Sequence, residues 1–300
     1  MKTLALIGVG RWGKNLISTL EKIPEAKLKY LCAGTLVSLA SYPARYEKVS
    51  PWQKLLKRKD IDAVLIATPP STHARIATAF IEQNIPVFVE KPMVVSVSEA
   101  QKLQAIVKKS GKVFMVGYQY LFNDYVRYLK EEIEEGAFGK ILSIKNEHVI
   151  SPSRPDVDIF WDAGSHPLSV FQYLFEPKKL ISAEGEIKHD SAFVKVEFEN
   201  APSLEIVASC FGEVKTRKVT LLGERGSAVI DETLPQNKLV ITKNGKASCP
   251  EIDLKEPLRN EMGHFLNCLQ TGSPPLTNVD FGCRITEWLE IISKKLNNNE

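Results

Sequence analysis

The chain has 300 residues, of which 44% are apolar and 25% charged, and a net charge of +3. This suits two ordinary globular domains, and the positive charge is too weak and dispersed for a nucleic-acid footprint. No apolar run approaches the roughly 18 residues of a membrane span. The five cysteines (Cys32, Cys210, Cys249, Cys268, Cys283) form no C-x-x-C pair, which argues against a disulfide framework or a metal site and for a reducing, cytoplasmic compartment.

Lys2 and the apolar run after it imitate a signal peptide. Arg11 and Trp12 end that run and no cleavage site follows, so "TLALIG" reads better as a buried first strand. "GKNLISTLEKI" then has helical spacing in Leu16, Leu20 and Ile23. "KLKYLCA", "DAVLIAT", "PVFVE" and "VFMVG" read as further strands. Between them "IATAFIEQ" and "SVSEAQKLQAIVKKSG" read as helices, the second capped by Ser96 or Ser98 and stopped by Gly111. Strands interleaved with helices predict an α/β domain with a parallel sheet over 1–118.

The rhythm then changes. A helical stretch at 123–135 leads into the strand "GKILSIKNEHVI" and an apolar helical segment, "DIFWDAGSHPLSVFQYLF". "LISAEGEIK", "AFVKVEFEN", "SLEIVASCF", "KVTLLGERG", "SAVIDE" and "KLVITKNG" follow with turns between them, the pattern of an antiparallel or mixed sheet. Helices near 257–271 and 278–296 close an expected α+β domain, 119–300.

Gly8-Val9-Gly10-Arg11-Trp12-Gly13 follows the first strand and opens a helix. That context makes G-x-G-x-x-G a dinucleotide cradle. Gly8 permits the tight turn, Gly10 the approach of a pyrophosphate and Gly13 close helix–strand packing, with the anion on the helix N-terminus. A ribose-binding carboxylate is expected about 20 residues on. Ala33, Gly34 and Thr35 occupy that place instead. Nothing there repels a 2′-phosphate, and Arg11 and Arg45 could supply positive charge. The balance favours NADP(H), with NAD(H) open. Two further turns should reach the same edge of the sheet. "ATPPSTH" brings Thr68, Pro69 and His73, and Glu90-Lys91-Pro92 ends the "PVFVE" strand.

The glycine loop, ATPPSTH, EKP and D-x-x-x-H at Asp162 and His166 together resemble the glucose–fructose oxidoreductase / inositol dehydrogenase / MocA family. "GAFGKILSI" and "FLNCLQTGSPPLTNVDFG" extend the resemblance over almost the whole chain. It implies an N-terminal Rossmann domain binding NAD(P) through Gly8, Gly10, Arg11, Trp12, Gly13, Thr35, Thr68, Pro69, His73, Glu90 and Lys91. It implies a C-terminal domain with a large, mostly antiparallel sheet that binds substrate and makes a homodimer or homotetramer. It implies a carbohydrate or cyclitol substrate, and it places the catalytic groups on Lys91, Asp162 and His166. Three departures stand out. Ser169 replaces a frequent acid, "GYQYLFN" replaces a basic segment, and the second strand lacks its terminal acid.

Alcohol oxidation needs a proton acceptor and a charge to stabilise the alkoxide. His166 suits the first task and Lys91 the second, although a desolvated lysine could share the proton. Asp162 could orient the histidine or bond a sugar hydroxyl. Taken alone, Asp162 and His166 read as a helix N-cap and a core histidine. Pro167 belongs in a first helical turn, which puts both at the helix mouth. Tyr118, Gln119, Arg154 and Trp161 are further substrate candidates. His148, His189 and His264 carry no motif and read as structural. The alternatives are an oxidoreductase of non-carbohydrate carbonyls or diols, and a cofactor-binding regulator without turnover.

Overall fold

The first apolar run forms strand β1 (Lys2–Ile7), and the glycine turn after it opens helix α1 (Arg11–Leu20). Leu16, Ile17 and Leu20 are the buried stripe of α1. Then come β2 (Ala26–Cys32), β3 (Glu47–Val49), β4 (Ala63–Ile66), α2 (His73–Glu82), β5 (Val87–Glu90), α3 (Val97–Ser110) and β6 (Phe114–Gly117). These strands form a parallel sheet in the order β3-β2-β1-β4-β5-β6. Every residue of β4, β5 and β6 is buried, as in a sheet covered on both faces. The chain winds outward in both directions from β1, so the switch point lies at the carboxyl ends of β1 and β4. Of the two expected caps on α3, Ser96 serves, accepting from Glu99 N at 3.2 Å, and Gly111 ends the helix in the left-handed conformation. The three-residue β3 was not anticipated, since so short a strand shows no period.

The computed structural model describes residues 1–149, 158–211 and 215–297. They divide into two compact units: Met1–Gln119 with Glu256–Thr286, and Tyr120–Lys255 with the chain from Glu287. The second unit contains α4 (Asp124–Glu134), β7 (Ile141–Val149), α5 (Ser165–Phe175), β8 (Leu180–Ile187), β9 (Ser191–Phe198) and β10 (Ser203–Ser209). It continues with β11 (Thr216–Gly223), β12 (Gly226–Asp231), β13 (Leu239–Lys243) and β14 (Lys246–Ser248). Its eight-stranded sheet runs β14-β13-β12-β11-β7-β10-β9-β8. Only β7 and β10 pair in parallel.

Alternation decides the faces of this sheet. In β9, Ala192, Val194, Val196 and Phe198 are buried while Phe193 and Lys195 are exposed. The Phe198 ring lies 5.0 Å from Phe171 of α5 and 4.8 Å from Trp288. Phe171 is fully buried, a contribution of about 2–3 kcal/mol.

The last helices are α6 (Pro257–Thr271) and α7 (Val279–Asn297). Helix α6 belongs to the first unit and packs beside α1. Phe265 meets Phe88 of β5 edge-on at 5.6 Å. Ahead of α7, Thr277 makes two hydrogen bonds to Val116 of edge strand β6. Val116 N donates to Thr277 O at 2.8 Å, and Thr277 Oγ1 donates to Val116 O at 2.6 Å.

Candidate functional site

The glycines of the first loop answer separate steric demands. Gly8 has φ +102°, and a Cβ there would fall on the carbonyl oxygen of Ala67. A Cβ on Gly13 would fall on the carbonyl oxygen of Gly8, which is the close helix–strand approach expected of it. Gly10 has nothing within 4 Å of its Cβ position. The space beside it belongs to a cleft of about 620 Å³ lined also by Val9, Lys14, Ala33, Gly34, Ser38, Ser41, Tyr42, Ala67, Thr68 and Pro69. Open space beside the Gly10 backbone, at the N-terminus of α1 and at the switch point, fits a dinucleotide pyrophosphate.

Gly8, Gly10, Thr68 and Pro69 thus line the cleft together, while the other expected cofactor residues stand apart from that lining. Exposed Thr35 pairs with Ser38, its Oγ1 lying 3.0 Å from Ser38 Oγ. Arg11 is exposed on α1. Arg45, considered as a source of positive charge, is engaged with Glu21. Lys14, Ser38, Ser41 and Tyr42 went unnoticed, because nothing in their spacing distinguishes them from a solvated helix face and loop.

A second cluster surrounds the EKP turn. Trp12 Nε1 donates to Glu90 Oε1, so the glycine loop is tied to the end of β5. His73 is 1% exposed, and its ring nitrogens lie 3.0 Å from Pro92 O and 2.8 Å from Thr68 O. It joins the EKP turn to the ATPPSTH turn. Lys91 is half-buried on the turn that leaves β5. Tyr118 is fully buried, its ring 5.6 Å from Phe281, and desolvation pushes its phenol far above the usual range. It packs as core of the first unit.

The second unit presents Asp162 and His166 on a widened turn. A π-helical segment, Phe160–Gly164, runs directly into α5. Such turns often mark functional sites. The cap is Asp158, whose Oδ1 accepts from Trp161 N at 2.9 Å. Asp162 lies inside the π segment, buried, and does not cap α5. Gly164 is required there, because a Cβ would meet the Phe160 ring at 2.7 Å. Trp161 is half-buried beside Asp162. Ser169 is fully buried and donates to the carbonyl of His166 at 2.7 Å, so it serves the helix backbone. Arg154 lies outside the described residues.

His166 sits in a pocket that the sequence did not announce. The Tyr120 ring stands edge-on to it at 4.6 Å, and His148 stacks beside it at 5.9 Å and 17°. Asn146, Arg217, Lys218 and Glu232 complete the polar lining of a cavity of about 20 Å³, room for about one water. The β7–β11 register sets Arg217 opposite His148. Glu232 Oε1 accepts from Asn123 Nδ2 at 2.7 Å. Burial raises the Glu232 carboxyl, and Arg217 partly offsets the rise. Burial also raises the Tyr120 phenol. Gln119 is half-buried in the last residue of the first unit's opening stretch.

Comparison with known proteins agrees with this construction. Residues 2–118 match a family model described as "Oxidoreductase family, NAD-binding Rossmann fold". Residues 130–300 match its companion, "Oxidoreductase family, C-terminal alpha/beta domain". The chain is 27% identical to scyllo-inositol 2-dehydrogenase (NAD(+)) of Bacillus subtilis strain 168, covering 92% of this chain and 89% of that one. A crystal structure from Magnetospirillum magnetotacticum MS-1 superposes with TM-score 0.85 at 29% identity, covering 96% and 98%. UDP-N-acetylglucosamine 3-dehydrogenase of Acidithiobacillus ferrooxidans shares the fold, with TM-score 0.85 at 20% identity over 97% and 96%. With one family matched across both parts of the chain, this protein belongs to the glucose–fructose oxidoreductase / inositol dehydrogenase / MocA family of NAD(P)-dependent oxidoreductases acting on CH–OH groups.

Proposed function

We propose that the protein interconverts a secondary alcohol and a ketone on a sugar, cyclitol or nucleotide-linked sugar, with NADP(H) preferred to NAD(H). The observation that carries this reading is Lys91, on the turn leaving β5 at the carboxyl edge of the sheet whose switch point forms the nucleotide cleft. A dinucleotide held by the Gly8–Gly10 and Thr68–Pro69 turns would supply hydride exchange at the carbinol carbon. The Lys91 ammonium then stabilises the developing alkoxide. His166 takes the hydroxyl proton, and Asp162 orients the histidine or bonds a sugar hydroxyl. The Bacillus protein, a scyllo-inositol dehydrogenase, and the Acidithiobacillus protein, a UDP-N-acetylglucosamine dehydrogenase, support the substrate class.

The NADP(H) preference rests on the cleft wall past β2. Ala33, Gly34, Ser38 and Ser41 line it without a carboxylate, and Lys14 supplies a cation. We also assign the protein to the cytoplasm. Among the described residues no two of its five cysteines form a disulfide, and no helix is long and apolar enough to cross a membrane. The outward face of the second sheet, with Phe193 and Leu222 exposed, is the surface through which two copies would associate.

The test is Lys91→Ala. It should lower kcat by at least about 100-fold while NADPH still raises the melting temperature, by more than NADH at equal concentration. Wild-type protein that binds NADPH yet turns over no polyol, sugar or nucleotide sugar in a broad panel would overturn the reading.

A further inference from the structure

The proposed reaction makes no use of the fully buried acid on α6. Glu261, on α6, is 0% exposed, and neither of its carboxyl oxygens has a hydrogen-bond partner among the described residues. Its position follows from packing. Glu261 and Phe265 are one helical turn apart, about 6 Å, and Phe88 and Glu90 are two strand residues apart, about 6.6 Å. Phe88 meets Phe265, and the Glu90 charge acts on Glu261, so of the two directions along β5 the step from that contact leads to Glu90. Glu90 is itself 7% exposed and receives the Trp12 indole N–H. A Cβ on Gly117 would meet Glu90 Oε2 at 3.0 Å, so the backbone of β6 lies directly against this carboxylate.

Two carboxylates in one dry site do not both ionise. The indole N–H favours the charge on Glu90. Glu261 has no such donor, and desolvation, followed by the Glu90 charge, pushes its carboxyl well above 4.5. Glu90 is the charged group that acts on it, and Trp12 of α1, which donates to Glu90, does not titrate.

We propose that Glu261 is a positioning residue of the nucleotide site: it keeps the proton of the pair, leaving Glu90 as the anion that holds Trp12 and the glycine loop against the turn bearing Lys91. The inference rests on the dinucleotide reading for its consequence, though not for the location of the proton. Loss of that proton would set two anions against each other. Glu90 would then release Trp12 or take up a proton itself, and the loop would lose its charge-assisted anchor.

Infrared difference spectroscopy locates the proton without any ligand. The C=O band of a protonated carboxyl, identified by its shift in D₂O, should vanish in Glu261→Gln and persist in Glu90→Gln. The reverse pattern overturns the proposal. NADPH titrations from about pH 6 to about pH 9 test the consequence. Wild-type affinity should weaken by about fivefold or more toward the alkaline end. Glu261→Gln, neutral throughout, should match wild type at the acid end and stay flat. Identical profiles for the two proteins overturn the positioning role. If neither protein binds a nicotinamide at any pH, the dinucleotide reading and the positioning role built on it both fall, while the infrared result still decides which glutamate holds the proton.

Discussion

The nucleotide cleft of the first unit and the histidine pocket of the second are made of different material. The cleft is largely backbone: the Gly8–Gly10 turn, the end of β2 and the Ala67–Pro69 turn, arranged at one edge of a parallel sheet. The pocket is side chains, with Tyr120, His148, His166, Arg217 and Glu232 each delivered by a different element. A backbone site tolerates many side chains around it and no added atom within it. A side-chain site depends on every ring and charge while its backbone is ordinary sheet. If His166 meets the substrate as proposed, one site can stay general for nucleotides while the other varies with substrate.

This contrast can be broken by substitution, and Gly8→Ala should have the largest effect. The added Cβ meets Ala67 at a positive φ, so the cost should be on the order of 2–4 kcal/mol in urea unfolding, with nucleotide binding lost. A variant of wild-type stability would show that the turn is not constrained. Gly10→Ala sharpens the point. Its Cβ has open space, so stability should change by no more than about 1 kcal/mol. NADPH affinity should nevertheless fall about tenfold or more, because the methyl occupies the ligand's place. An unchanged affinity by calorimetry would remove the cleft as the phosphate site. In the pocket, His148→Phe keeps a ring beside His166 and removes its polar atoms. Turnover should drop about tenfold with NADPH affinity unaltered. A parallel loss of both would contradict the division of labour. The mildest change is Phe193→Lys on the open sheet face. It should reduce the hydrodynamic size without altering NADPH affinity, and an unchanged elution volume would discard that face as the contact between copies.

The same contrast explains what could be read from the chain. Gly8 and Gly13 were legible because each answers one local steric demand at fixed spacing. The alternating strands of the second sheet were legible for a similar reason. Tyr120 was missed in favour of Tyr118, two residues earlier, because a short 3₁₀ turn has no period to count. His148 read as structural because its neighbours come from the register of β7 with β11 and from α5, which local spacing does not encode. Asp162 could be taken for a cap because four residues earlier stands the aspartate that does the capping, and no residue pattern signals a π turn. Glu261 was invisible as anything but one acid on an amphipathic helix.

Thr277 adds a consequence in the order of synthesis. Strand β6 ends at Gly117, yet its outer edge is bonded by Thr277, and Phe88 of the neighbouring strand is covered by Phe265. The parallel sheet therefore emerges from the ribosome with one edge unpaired and one ring bare. It must remain so while the entire eight-stranded sheet is translated. The nucleotide-binding unit is the first to begin and among the last to be finished.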